Sequence, residues 1–417
     1  MADAFIIDAV RTPRSIGKVG KGALATMLPQ HLAAIVLKAI KDRNAIDTAD
    51  VDDVIWGVCS QVGAQGGDMG RMAALDAGYD PKASGVTLDR FCGSGLTAVN
   101  MAAGQIMAGM EDLVVAGGTE MMSYTNSYAA ELQAAGVQGG GLGSYNPRLQ
   151  EKYPQSNQGV AADAIAAIAG ITRDDIDRLG AESQRRAAIA IKEGRFARST
   201  VPVHDEDGTL LLDHEQFPRP GTTVETLGQL KPAFEALADM PADEQGNSFR
   251  GLSNKVYPDV EVKALHHAGT SSGVVDGAAA LLLASGDYAD KHGLRKRARV
   301  GATANMGDDP TLMLDAPVPA ARKVLKRAGL TKDDIDVWEV NEAFAVVVEK
   351  FIRELDIDRS KININGGAIA LGHPIGASGA VLIGTALDEL ERSEGRYALI
   401  TMCAAGGMAP AIIIERV

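Results

Sequence analysis

Three residues far apart in the chain have the side-chain types that covalent carbonyl chemistry needs. Cys92 sits in Asp89-Arg90-Phe91-Cys92-Gly93-Ser94-Gly95. His373 sits in Asn365-Gly366-Gly367-Ala368-Ile369-Ala370-Leu371-Gly372-His373-Pro374-Ile375-Gly376. Cys403 follows in Met402-Cys403-Ala404-Ala405-Gly406-Gly407. A thiol can attack a carbonyl, an imidazole can take its proton, and a second thiol can move another proton. Carbon–carbon bond cleavage through an acyl-thioester intermediate requires that set.

The surroundings of each residue sharpen the reading. Cys92 precedes Gly-Ser-Gly and a long helical pattern, so the thiol stands at a helix N-terminus. There the helix dipole favours thiolate, and backbone N–H groups can hold an oxyanion. Free Cys is otherwise most often a small buried hydrophobe. Cys59, at the end of an apolar strand with no helix or glycine pair after it, takes that bland reading. His373 is held between Gly372 and Pro374, which suits a rigid turn. Cys403 ends a strand-like run and enters Gly406-Gly407, a common active-site position in α/β folds. Asn341 can hold a water or a substrate oxygen, or cap the helical pattern that follows. Glu342 can serve as a base or orient His373.

These residues are positioned by a duplication. Asp50-Val51-Asp52 and Asp334-Ile335-Asp336 are 334 − 50 = 284 positions apart, and Ser94-Gly95 and Ser378-Gly379 are 378 − 94 = 284 apart. Strand-like runs fall at 4–10, 53–59, 112–117 and 278–284, then at 298–305, 336–341, 398–403 and 410–415. Strands alternating with helices predict an α/β layered fold of two similar halves. The pattern Leu96 to Gly109 is apolar nearly all round, as is the start of its counterpart Ala377 to Glu391. Such helices are buried, so the two are expected to pack centrally with sheets flanking them.

The expected division is 1–120 plus 275–296 for the first half, 121–274 for an inserted loop domain, and 297–417 for the second half. The insert carries Gly139-Gly140-Gly141-Leu142-Gly143-Ser144, and Thr172 as cap of a helix over Arg173 to Glu193. Long loops of this kind are usually functional, and a substrate-binding role is preferred over a decorative one.

The net charge of −13 argues against a nucleic-acid partner. His266-His267 and the run Lys291 to Arg299 are the candidates for a local basic patch. Three sparse cysteines build no disulfide framework and suit a reducing, cytoplasmic setting. No signal peptide, membrane span or peroxisomal address is read. The glycine runs lack a Gly-x-Gly-x-x-Gly after the first strand, so no dinucleotide site is expected.

Taken together, Arg90-Phe91-Cys92-Gly93-Ser94-Gly95, Gly117-Gly118-Thr119-Glu120-Met121-Met122-Ser123, Asn341-Glu342-Ala343-Phe344, the His373 segment and Cys403 before Gly406-Gly407 resemble the thiolase family. The resemblance runs from Asp8 to the C-terminus. It implies duplicated α/β halves in five layers, an inserted loop domain, and a homodimer or homotetramer. The implied reaction cleaves a 3-ketoacyl-CoA with CoA, or runs as the reverse condensation. Coenzyme A is then a substrate, with no prosthetic group or metal. By resemblance Cys92 is the acylated nucleophile, His373 its base, Cys403 the second proton carrier, and Asn341 the holder of an oxyanion-hole water. Ser272, Ala343, Phe344 and Asn157 are the positions implied for CoA binding.

Three features depart from the family pattern. Ser156-Asn157-Gln158-Gly159 stands where many short-chain members have a His-Met pair. Cys403-Ala404-Ala405 replaces the usual Cys-x-Gly. The stretch 235–262 is longer than usual and is expected to form a surface hairpin or reshape the acyl pocket. The alternatives are a biosynthetic acetoacetyl-CoA thiolase, and a non-catalytic acyl-CoA or lipid-binding protein on the same fold. A decarboxylating condensing enzyme of the ketoacyl-synthase type uses Cys with two His. No second His has matching context, and Cys403 favours thiolase.

Overall fold

The computed structural model describes residues 2–135, 146–243 and 245–417; the glycine run at 139–144 lies outside them. The strands are β1 (Ala4–Arg11), β2 (Ser15–Ile16), β3 (Asp53–Gly57), β4 (Val86–Leu88), β5 (Leu113–Met121), β6 (Val203–His204), β7 (Leu210–Leu212), β8 (Val275–Ser285), β9 (Ala298–Gly307), β10 (Val337–Val340), β11 (Tyr397–Thr401) and β12 (Met408–Arg416). All eight strand-like runs of the sequence are strands. β5 and β8 are buried at every residue, as near-continuous apolar runs with helices on both faces should be.

The duplication is visible in the element starts. β3 and β10 begin 337 − 53 = 284 residues apart, β5 and β11 397 − 113 = 284, and the helices Ser94–Ala108 and Ser378–Ser393 378 − 94 = 284. The pairing repeats too. β3 runs parallel to β5, which is antiparallel to β8; β10 runs parallel to β11, which is antiparallel to β12.

Strands of the two halves flank the central helices as expected, and they join into one ten-stranded sheet in the order β10-β11-β12-β9-β1-β8-β5-β3-β4, with β2 paired to β8. The join is short: β1 meets β9 through Phe5↔Arg299 and Ile6↔Ala298. The join pairs backbone groups at one end of each edge strand.

The layers follow from three apolar clusters. One packs the helices Pro29–Asn44 and Met69–Asp76 onto the first half of the sheet. A second joins Leu96, Val99 and Ile106 with Ile383, Leu387 and Leu390, between the first-half strands and Ile400, Ile412 and Ile414. The third packs Val324, Phe351 and Trp338 on the far face of the second half, and extends to the helix Gln158–Ala169. Each buried Leu or Ile contributes about 1.5–3 kcal/mol. The two central helices can touch because glycine lines their contact. A Cβ on Gly379 would fall 2.1 Å from the Leu96 nitrogen, and one on Gly95 would fall 2.6 Å from the Gly376 oxygen.

Residues 122–274 add no main-sheet strand among those described. Thr172 caps the helix Arg173–Lys192 reciprocally with Asp175. The stretch 235–262 folds as two short helices, Glu235–Ala238 and Phe249–Val256, rather than as a hairpin.

Candidate active site

Cys92 and His373 lie just before the central helices of opposite halves, and Cys403 just after β11. All three line one cavity of about 250 Å³, with Phe91, Met122 and Leu314 among its apolar walls. A larger groove of about 750 Å³ runs beside the helices Arg173–Lys192 and Ala345–Leu355. None of the three residues reaches that groove, so its size does not make it the reaction site.

Cys92 is presented by a tight turn. Phe91 adopts φ +48°, a left-handed conformation that costs a bulky residue energy and is held by its surroundings. Ser94 Oγ accepts from the Arg90 N–H at 2.9 Å and donates to the Phe91 carbonyl at 2.6 Å, closing that turn. The N–H groups of Cys92 and Ala405 both face the Cys92 sulfur and lower its pKa. Burial is the larger effect, and the nearby Glu120 charge adds to it, so the thiol is pushed up to about 12. The N–H groups favour the thiolate, as expected, but the loss of water around the sulfur outweighs them.

His373 is buried, and that burial alone lowers its pKa to about 4, so the ring is neutral at neutral pH. Ser378 Oγ lies 2.6 Å from His373 Nδ1 and 3.1 Å from the Pro374 carbonyl oxygen. The hydroxyl has one proton. Donating it to Pro374 leaves Ser378 to accept from Nδ1–H, which assigns the tautomer and frees Nε2 as a base. Asn341 Nδ2 stands 3.5 Å from that Nε2. Burial also raises the Cys403 thiol, with the Cys92 sulfur as the second cause.

Two readings of the Asn341 segment are corrected. Asn341 caps no helix, since the following one spans Ala345–Leu355 with Phe344 at its N-cap. Glu342 does not orient His373. Its oxygens accept from Ser183 Oγ at 2.6 Å, Asn363 Nδ2 at 3.0 Å and the Ile369 N–H at 3.1 Å. It ties the loop domain to the segment leading into His373.

Of the residues marked for coenzyme contact, Ser272 and Ala343 line the reaction cavity. Phe344 and Asn157 line a neighbouring cavity of about 480 Å³ that also takes in Ala242 and Phe249 from the lengthened stretch. Gln158 lines both, so the two spaces adjoin. Asn157 also caps the helix Gln158–Ala169 by accepting from the Gly159 N–H at 2.9 Å. Ala405 keeps its N–H on the sulfur without the left-handed backbone that Gly406 and Gly407 adopt, so alanine suffices there.

His266 and His267 form no basic patch: they are 0 % and 1 % exposed and pair with Asp163 and Asp177 at 2.6 and 2.7 Å. Arg297 is likewise buried, against Asp8, Asp388 and Glu391.

Two residues escaped the sequence reading. Cys59, read as a bland core thiol, lines the reaction cavity. Glu120 is fully buried and accepts from the N–H groups of Cys59 at 2.9 Å, Ser60 at 3.1 Å and Gly376 at 2.9 Å. It thus clamps the loop after β3 to the turn after His373. Its signal was present: a single carboxylate in the otherwise uncharged strand Leu113–Met121.

The chain is similar to known proteins along its whole length. Residues 4–242 match the model of the thiolase N-terminal domain, and residues 294–416 match that of the thiolase C-terminal domain. A beta-ketoadipyl-CoA thiolase of Pseudomonas aeruginosa is 41 % identical over 427 residues, covering 100 % of this chain and 99 % of the relative. A steroid 3-ketoacyl-CoA thiolase of Mycobacterium tuberculosis is 39 % identical, covering 100 % of this chain and 95 % of that protein. The structure of human mitochondrial 3-ketoacyl-CoA thiolase superposes with a TM-score of 0.83 at 29 % identity, covering 100 % and 99 % of the two chains. That of a Bacillus anthracis acetyl-CoA acetyltransferase gives 0.82 at 31 % identity, again covering 100 % and 99 %. With both domain models matched in order, and full-length relatives at this identity, the chain belongs to the thiolase family.

Proposed function

We propose that the chain cleaves a 3-ketoacyl-CoA with CoA, to acetyl-CoA and a shortened acyl-CoA, through an acyl-Cys92 intermediate. The observation that carries this reading is the single cavity shared by Cys92, His373 and Cys403. As the Cys92 sulfur attacks the keto carbon, its proton passes to His373 Nε2. The carbon–carbon bond breaks, and the leaving enolate takes a proton from Cys403. The CoA thiol then attacks the acyl-Cys92 carbonyl, and its proton restores the neutral set of His373, Cys92 and Cys403. A water held by Asn341, together with His373, faces the first oxyanion, and the Cys92 N–H contributes to the second. The Ala405 N–H faces the same sulfur and adds a donor. Preorganised donors of this kind lower such barriers more than any other single device.

The residues implied for CoA contact are Ser272, Ala343, Phe344 and Asn157. We divide the chain at 1–120 plus 275–296, 121–274 and 297–417, and expect a homodimer or homotetramer. The chemistry needs reduced thiols, and all three cysteines are free, which supports a cytoplasmic setting.

The test is a kinetic panel of 3-ketoacyl-CoA thioesters of graded length, with 3-oxoadipyl-CoA included, alongside mass spectrometry of the intermediate. Thiolysis with an acyl adduct on the Cys92 peptide supports the reading. Acyl-CoA binding without turnover or adduct would mean a non-catalytic binding protein. The thioester turned over with the highest kcat/KM identifies the acyl tail.

A further inference from the structure

One buried acid has no place in that mechanism. Glu339 is 0 % exposed, and neither of its carboxyl oxygens has a hydrogen-bond partner among the described residues. An unpartnered buried carboxyl is costly, so in a native protein it calls for an explanation. Glu339 opens on a narrow cavity of about 10 Å³ behind the active site, whose lining also includes Asn341, Ser378 and Arg14. That volume is the least that accommodates one water molecule, and polar walls are what keep such a water in place.

The strand explains the arrangement. Glu339 lies in β10 and Asn341 follows directly, two residues on. Alternate residues of a strand project to the same face, so both side chains address the helix Ser378–Ser393. Their Cα atoms are about 7 Å apart along the strand, and because both side chains line the same small cavity, one water there can bond to both. Asn341 in turn stands 3.5 Å from the His373 ring, and Ser378 2.6 Å from its other nitrogen.

We propose that Glu339 is a positioning residue that, through one bound water, fixes the Asn341 amide against His373. The inference rests on the roles proposed above for Asn341 and His373. Its electrostatics are consistent: burial first, then the charges of Glu342 and Glu389, raise the Glu339 carboxyl well above its ordinary range, outweighing Arg14 and Arg186. A protonated carboxyl supplies the donor that an amide oxygen requires.

The test uses the full-length enzyme. Glu339→Gln keeps a neutral donor and acceptor, and should retain kcat and the pH profile. Glu339→Met removes both, and should lower kcat about tenfold with KM within about twofold. In the Glu339→Met, Asn341→Ala double variant the loss should not exceed that of Asn341→Ala alone, because both changes act through one amide. Additive losses, a Glu339→Gln as impaired as Glu339→Met, or full activity in Glu339→Met would each overturn the proposal. Should Glu339→Met fail to fold, a high-resolution crystal structure of the wild-type protein decides: a water bonded to Glu339 and Asn341 supports it, and a dry cavity overturns it. Full activity in Asn341→Ala would instead remove the proposed role of Asn341, and the inference with it.

Discussion

Nδ1 of His373 lies 2.6 Å from Oγ of Ser378, the first residue of the helix that follows it. The hydroxyl is itself directed at Pro374, so the serine chooses which nitrogen of the ring is free to accept a proton. Ser378→Ala should therefore leave both tautomers accessible. We expect kcat to fall about tenfold with little change in KM, measured by thiolysis at saturating CoA. Unchanged kcat would mean that packing alone orients the ring.

Cys92 and Cys403 should separate by half-reaction. Cys92→Ser removes the sulfur proposed to become acylated, and no acyl adduct should accumulate on residue 92. Cys403→Ala should still acylate when incubated with an acyl-CoA, while carbon–carbon bond cleavage falls by about 10²–10⁴, the usual range for a lost acid/base. Labelled-acyl transfer followed by mass spectrometry reads the first step, and turnover reads the second.

Acid should weaken the fold through His373. Its folded-state pKa is lowered from 6.5 to about 4 by burial. Between those values the unfolded chain binds a proton that the folded chain does not. Stability from this group is therefore complete above pH 6.5 and is lost as pH falls towards 4, by up to ~3 kcal/mol. Denaturation midpoints of the wild type and of His373→Asn, compared across that window, should show a shallower slope for the variant. The same pKa predicts no loss of active base between pH 8 and 5, visible as a flat kcat/KM in that interval wherever the fold is intact.

Gly379→Ala tests the approach of the two halves. Its Cβ would meet the backbone nitrogen of Leu96 at 2.1 Å, and backbone cannot step aside as a side chain does. A cost of about 3 kcal/mol or more is expected, read as a lower Tm together with lost activity. Gly104→Ala, on the Cys92 helix with nothing within 4 Å of an added Cβ, is the control and should leave both intact.

The layered fold and its duplication were legible because one offset recurs in unlike residue types. A shared Asp triplet, a shared Ser-Gly and matching apolar helices cannot all be set by local preference. That Cys92, His373 and Cys403 share one cavity was foreshadowed for a related reason: glycine near each marks backbone forced into turns or close approach. What failed was direction. Glu342 adjoins Asn341, yet strand alternation turns it to the opposite side, towards Ser183 and Asn363. Cys59 looked like core because its strand is apolar, but the loop after that strand bends to the cavity under the hold of Glu120, 61 residues away. His266 and His267 looked basic as a pair, whereas their aspartates come from distant helices. Partners assembled from remote segments leave no local pattern to read.

The meeting of the two halves through glycine also sets an order of events during synthesis. Cys92 leaves the ribosome 373 − 92 = 281 residues before His373 and 403 − 92 = 311 before Cys403. A nascent first half therefore holds Cys59 and Cys92 but neither the candidate base nor the candidate proton donor. Under the proposed chemistry the site is complete only once the closing strands dock and bring His373 and Cys403 to the cavity that Cys92 lines.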